Sequence, residues 1–281
     1  NAGLSQIEEI RNKLLEFKLT KKPIVAYNEF YGMKSYYLSS VADKLYINPM
    51  GVIDHKGMSA TLMFYKGLLE KLNIDIQIFR LGKFKSAIEP FTLEKMSNSN
   101  REQLKLLLNS INDNILDSIA SQRNISLSKM HNDANQLKLS SAKICLEENY
   151  VDGILYEDQV KDTIKLLLGE EKLNLISLNK YTKIKTKKKD ISRNKIAVIY
   201  ANGGINSGKG DENSIGSITT SKAIEEARKD DKVKAIVLRV NSGGGSALAS
   251  DVIWRETILA KNEKPLVVSF GDVAASGGYY I

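Results

Sequence analysis

Residues 267–279, Val-Val-Ser-Phe-Gly-Asp-Val-Ala-Ala-Ser-Gly-Gly-Tyr, set one hydroxyl, Ser276, among small residues between a strand-like run and a helix start. Unpaired backbone N–H groups at a helix N-terminus favour negative charge, so a serine there has the setting an acyl-transfer nucleophile needs. A serine after a glycine-containing turn is more commonly a plain helix cap, so the residue needs support from elsewhere in the chain. Upstream, residues 236–246, Ile-Val-Leu-Arg-Val-Asn-Ser-Gly-Gly-Gly-Ser, put Gly243, Gly244 and Gly245 directly after a buried strand and before a helix. Such a turn exposes backbone amides, although glycine is also the ordinary residue of any tight connection. A serine hydroxyl further needs a base near neutral pH. His55 and His131 are the only histidines, both precede Ser276, and both read as surface residues. A lysine is the alternative, and residues 81–91, Leu-Gly-Lys-Phe-Lys-Ser-Ala-Ile-Glu-Pro-Phe, supply Lys85, with Lys83 as a competing candidate two positions away. Only a neutral lysine accepts a proton, so its pKa must fall from about 10.4 towards about 7 to 8, a shift that burial supplies. Phe84, Ile88 and Phe91 offer an apolar setting for it.

The order strand, Asn241-Ser-Gly-Gly-Gly, helix, strand, Ala-Ala-Ser276-Gly-Gly resembles the Clp protease and crotonase superfamily. By that resemblance the oxyanion donors are the amides of Gly245, Gly244 and Gly277. The superfamily usually carries proline where this chain has Gly243, which leaves the turn looser. Lys85-Ser-Ala-Ile-Glu-Pro-Phe91 is more specific and resembles the long form of the signal peptide peptidase A family, in which the lysine leading this motif is the general base. Lysine before serine in chain order is the long-form order. The resemblance implies tandem crotonase-like α/β domains, a Ser276–Lys85 dyad and no metal or cofactor. It also implies remnant signal peptides or similar small apolar peptides as substrates, and a tetramer-like ring of identical subunits. That ring would be held at the extracytoplasmic face of a membrane by an anchor outside this segment. Two other readings stay open: a crotonase-like acyl-CoA enzyme, which would not need Lys85, and a non-catalytic scaffold.

An internal repeat organises the elements that must position these residues. Lys22-Pro23, a strand-like run and Tyr36-Tyr37-Leu38 parallel Lys264-Pro265, a strand-like run and Tyr279-Tyr280-Ile281, each preceded by a helical pattern, Ile7 to Phe17 and Leu248 to Ala260. Met33 falls roughly where Ser276 stands, so the first copy has no nucleophile. The first copy lacks the strand–helix–strand unit (strands Ile196 to Tyr200 and Ala235 to Val240, helix Ser221 to Arg228) that precedes Asn241. The second stops before the elements that follow Tyr37. Residues 1–181 therefore read as a first repeat without its start, 182–194 as a basic linker, and 195–281 as a second repeat without its end. Within the first repeat the pattern predicts helices near Ala60 to Leu72 and over Asn98 to Arg123, the latter with Leu104, Leu107, Leu108, Ile111 and Ile115 on its packing face, and a strand over Asp75 to Phe79.

Composition sets the outer limits. A chain of 281 residues, 42% hydrophobic and 26% charged, is long enough for one large or two ordinary domains. The single cysteine, Cys145, excludes an intramolecular disulfide framework. The net charge of +8 is concentrated in the run Lys183, Lys185, Lys187, Lys188 and Lys189, which reads as solvated linker, and no nucleic-acid partner is expected. Two further motifs are decoys. Residues 203–210, Gly-Gly-Ile-Asn-Ser-Gly-Lys-Gly, nearly spell a phosphate-binding loop but end on Gly210 instead of a hydroxyl residue, and read as a flexible surface loop. Ser126-Leu-Ser-Lys129 has a Ser-x-x-Lys spacing without its partner motifs and reads as a helix cap. No Cys/His cluster has metal-ligand spacing.

Overall fold

The computed structural model describes residues 2–184 and 193–281, so most of the basic run and of the expected linker lies outside the described residues. The chain divides into two compact units, Ile10–Leu173, and Asn174–Ile281 together with Asn1–Glu9.

Helix α1 (Leu4–Lys18) enters the first unit at Ile10 and leads there to strand β1 (Val25–Tyr31), helix α2 (Met33–Ser39) and strand β2 (Lys44–Ile53). Then come α3 (Lys66–Lys71), α4 (Glu89–Thr92), α5 (Asn98–Arg123), α6 (Leu127–Asn135), α7 (Ala142–Glu147), β3 (Gly153–Ile154) and α8 (Glu157–Leu168). The three strands form a parallel sheet in the order β1-β2-β3. Tyr31, Tyr36 and Tyr150 fill the core, and each phenol finds a buried acceptor: the Tyr46 carbonyl, the Tyr150 carbonyl and the Asp133 carboxylate. A buried aromatic hydroxyl without such a partner would cost free energy, so these bonds fix the rings as well as satisfy them. Buried Arg11 ties α1 to the Tyr37 carbonyl, Ser40 and the Ser118 carbonyl.

Helix α5 has the predicted ends, with Ser97 capping its start and Asn124 closing it in a left-handed conformation. Its packing differs from expectation. Ile115, Leu116 and Ile119 are buried, whereas Leu107 is half exposed, because only the second half of this long helix lies over the core. Two further elements depart from the sequence pattern. The helix expected near Ala60 to Leu72 forms only over α3, and Asp75 to Phe79 forms no strand. Alternating Ile74, Ile76 and Ile78 suit a strand, but a strand needs a ladder partner, and among the described residues none pairs with this segment. These side chains consequently stay exposed, Phe79 almost fully.

In the second unit, α9 (Leu178–Tyr181) precedes β4 (Lys195–Asn202), β5 (Gly204–Asn206), β6 (Ser214–Gly216), α10 (Ser217–Lys229), β7 (Val233–Ser242), α11 (Ala247–Glu263), β8 (Leu266–Ala274) and α12 (Gly277–Tyr280). Strands β4, β7 and β8 make a parallel sheet in that order, as right-handed strand–helix–strand units do. Ile236, Leu238 and Val240 on one face of β7 pack with Ile224 of α10 and Ile253 of α11, all essentially buried. At about 1.5–3 kcal/mol for each fully buried aliphatic side chain, this cluster is the main stabilising element of the unit. It sets the two strand ends from which the glycine turn and the serine project. Both units are thus parallel α/β structures, the class expected from the sequence.

The decoy motifs resolve into local structure. Within the 203–210 stretch, Gly204–Asn206 forms β5 in a parallel ladder with β6, so this part is strand and not surface loop. Gly208 N–H donates to Ser217 Oγ and Gly210 N–H to Thr219 Oγ1, so neither is left for a phosphate. Ser126 caps α6 by accepting from the Lys129 amide, while the Lys129 ammonium pairs with Asp133 and Glu148.

Candidate active site

Ser276 lies on the turn between β8 and α12, exposed, with φ 51° and ψ −124°. A side chain rarely adopts this conformation, and for a non-glycine residue it costs about 1–3 kcal/mol. The neighbourhood holds it there. Ala275 N–H donates to the Ser242 carbonyl, anchoring the turn to the end of β7, and Gly278, Tyr279 and Tyr280 amides close back onto Ala275 and Ser276. A side chain at Gly278 would stand 2.4 Å from the Ser242 carbonyl oxygen, so the two strand ends approach as closely as they do only because that residue is glycine.

The glycine turn lies against this serine. Gly244 has φ +97°, and a Cβ there would fall 2.7 Å from the Gly277 nitrogen and 2.7 Å from Ser276 Cβ. Of the three expected oxyanion donors, Gly244 has its amide committed to Ser242 Oγ at 3.0 Å and its carbonyl to the Ile205 amide. Its part is to shape the turn. The Gly245 and Gly277 amides form no hydrogen bond among the described residues, and they are neighbours, since a Cβ on Gly277 would lie 3.4 Å from the Gly245 nitrogen. Two unengaged N–H groups close together beside an exposed hydroxyl are the components an oxyanion hole needs. Gly243 is unlike its neighbours: open space surrounds it and its φ is not positive, so nothing there requires glycine.

A cleft of about 550 Å³ opens beside Ser276 and Gly277, walled by Ala247, Leu248 and Asp251 of α11 and by Tyr280. The last two are joined by a Tyr280 Oη–Asp251 Oδ1 hydrogen bond of 2.9 Å. No hydrogen bond engages Ser276 Oγ among the described residues, and the unit contains no histidine.

Lys85 lies in the other unit. It precedes the 3₁₀ turn Ser86–Ile88 that runs into α4. The apolar setting expected of Phe84, Ile88 and Phe91 does not close over it: Lys85 is exposed, Phe91 stacks on Tyr65, and the Phe84 ring faces Lys83 Nζ at 5.0 Å. The segment leading into Lys85 is the unpaired stretch 74–81, so nothing presses it onto the core. The motif's glutamate, overlooked in the sequence, is its anchor. Glu89 is 1% exposed and accepts from Ser97 Oγ at 2.6 Å, the Ser97 amide at 3.1 Å and Asn100 Nδ2 at 2.9 Å, which pins α4 to the start of α5. Burial on its own would raise this carboxyl, but the bonds from Ser97 and Asn100 outweigh it and hold Glu89 below the usual glutamate range. An acid flanked by Ile88 and Pro90 was the available signal.

The histidines correct another expectation. His55 is buried, not superficial, with Nε2 2.7 Å from the Met130 carbonyl, and burial pushes its pKa below the ordinary histidine value. His55 lies two residues past buried Ile53, the last residue of β2. His131 is partly exposed and sits beside Asp113. Cys145 is a buried free thiol. Among the described residues no cluster of His, Cys, Asp or Glu could hold a metal ion, and no helix is long and apolar enough to cross a membrane.

Parallel α/β units, a serine on a strained strand-to-helix turn and a glycine turn with free amides define the class of protein to which the chain is related. Residues 16–170 match Peptidase family S49, more than half of the chain, and the chain belongs to that family. It is 35% identical over its whole length to Protease 4 of Haemophilus influenzae and 38% identical over 97% of its length to Protease 4 of Salmonella typhi. It is also 36% identical over its whole length to the chloroplastic Serine protease SPPA of Arabidopsis thaliana. The chain spans about half the length of these relatives, 48%, 46% and 43% respectively.

Proposed function

We propose that the protein is a serine peptidase in which Ser276 is the nucleophile and Lys85 the general base. Ser276 Oγ forms a bond to the scissile carbonyl carbon as its proton passes to neutral Lys85, and the oxyanion is held by the Gly245 and Gly277 amides. Collapse breaks the C–N bond, with Lys85 returning the proton to the leaving amine. Water then repeats the sequence on the acyl-enzyme and frees the acid and the serine. The single observation that carries this reading is the strained, exposed Ser276 beside two unengaged amides. Membership of Peptidase family S49 and the printed names of the relatives support it. Lys85 rests on its place at the head of the Lys-Ser-Ala-Ile-Glu-Pro-Phe motif.

The same resemblance carries the rest of the reading: remnant signal peptides as substrates, a ring of identical subunits, and a membrane setting at the extracytoplasmic face. Lys85 is exposed within its own unit, so the reading requires its desolvation to come from contacts beyond that unit. The test is hydrolysis of a small apolar peptide ester by the full-length protein across pH, comparing wild type with S276A, K85A and K83A. Loss of turnover in the first two with retention in K83A is the expected result. Turnover surviving K85A at neutral pH would remove the lysine from the mechanism.

A further inference from the structure

Ser242 is the last residue of β7 and is 2% exposed, and its hydroxyl is used twice. Oγ donates to the Gly203 carbonyl at 2.6 Å and accepts from the Gly244 amide at 3.0 Å, one role for its single proton and one for a lone pair. Its backbone carbonyl accepts from the Ala275 amide at 3.0 Å. One residue therefore holds the β4–β5 connection and the glycine turn by its side chain, and the serine turn by its main chain. The direction of the Gly245 amide follows from the bonds on Gly244. A trans peptide points its C=O and N–H opposite ways, so the Gly244 carbonyl, bonded to the Ile205 amide at 3.0 Å, turns the Gly245 N–H away from β5. The preceding peptide is fixed by the Gly244 N–H on Ser242 Oγ. Little else restrains it: Gly243 and Gly244 carry no side chain, Gly243 stands in open space, and among the described residues no other hydrogen bond engages the Gly244 amide.

We propose that Ser242 is a positioning residue for the reaction at Ser276, its hydroxyl aiming the Gly245 amide at the oxyanion while its carbonyl holds the turn that bears Gly277. The inference rests on Ser276 being the nucleophile and on the Gly245 and Gly277 amides receiving the oxyanion. Removing Oγ strips the Gly203 carbonyl and the Gly244 amide of a partner and lets the glycine turn rotate. Amides aimed at a developing oxyanion favour it over the ground-state carbonyl, so the loss should fall on kcat and leave KM nearly unchanged.

The test compares wild type, S242A and S242C in the full-length protein, each normalised to the fraction of Ser276 that a fluorophosphonate modifies at completion. Two ligands are bound, an apolar peptidyl trifluoromethyl ketone and the corresponding trifluoromethyl alcohol. On the ketone, Ser276 Oγ bonds to the carbonyl carbon, its proton passes to the base, and the carbonyl electron pair becomes the oxyanion. The alcohol fills the same place without one. In S242A, kcat for a small apolar peptide ester should fall about 10- to 100-fold, less than the roughly 100- to 1,000-fold for outright loss of an oxyanion donor, with KM within about twofold. Ketone affinity should fall by a similar factor and alcohol affinity by less than about twofold, a split that general loosening of the fold would not produce. S242C, whose thiol donates and accepts weakly, should lie between, and carries the same comparison should the alanine variant not fold. Ketone and alcohol weakened equally in a folded variant, or kcat per active serine within about twofold of wild type, overturns the inference while the nucleophile stands. Binding of the ketone by S276A as tightly as by wild type overturns the nucleophile and the inference together.

Discussion

Replacing Ser276 by glycine should stabilise the protein relative to replacing it by alanine. Both variants lose the hydroxyl, so neither is complicated by catalysis, and they differ only in Cβ. With φ 51° and ψ −124°, alanine keeps a conformation costing about 1–3 kcal/mol, which glycine adopts without strain. Against this stands the extra freedom of glycine in the unfolded chain, about 0.4–1 kcal/mol. The difference leaves the glycine variant more stable by about 0.5–2 kcal/mol. Urea unfolding followed by tryptophan fluorescence reads the right unit, because the only tryptophan, Trp254, lies on α11 with its ring 6.0 Å from that of Tyr280. A glycine variant no more stable than the alanine variant would refute the argument that the turn strains its serine.

Other predictions follow from the same geometry. Gly244→Ala, forced into a positive φ with a Cβ 2.7 Å from the Gly277 nitrogen, should abolish turnover and lower the unfolding midpoint, whereas Gly243→Ala, in open space, should be tolerated by both measures. Glu89→Gln turns one acceptor oxygen into an NH2, so it opposes either Ser97 Oγ–H or the Ser97 amide and Asn100 Nδ2 together, and should destabilise the first unit by about 1–3 kcal/mol at neutral pH. Because the folded Glu89 pKa is depressed, that contribution is present above the unfolded value of about 4.3 and is lost as pH falls through the folded one, so thermal midpoints of wild type and E89Q should converge in acid. His55 is depressed too, so its unfolded form binds the proton first. Stability should fall as pH drops below about 6.5, and an imidazole resonance titrating at or above that value would contradict the burial.

How much of this was legible in the sequence depends on what each feature requires. The strands at 196–200 and 235–240, the helix at 248–260 and the ends of α5 could be read because apolar periodicity, caps and glycines are local signals. Residues 74–81 show the limit of such signals, since alternation tells which residues suit a strand but not whether a partner exists. The same gap explains Lys85, whose burial was inferred from apolar neighbours in sequence that turn out to face Lys83 and Tyr65. In the site, the glycine turn and Ser276 were legible as residue types. Which amides stay free was not, because that depends on Ser242 Oγ taking the Gly244 amide.

The most direct test of the central claim is to treat the full-length protein with a fluorophosphonate at neutral pH and locate the modified residue by peptide mapping. The account predicts a single adduct on Ser276, formed in wild type and K83A but at least about a hundredfold more slowly in K85A, the scale expected for removal of a general base. An adduct on another serine, or labelling of Ser276 at an unchanged rate in K85A, would contradict it.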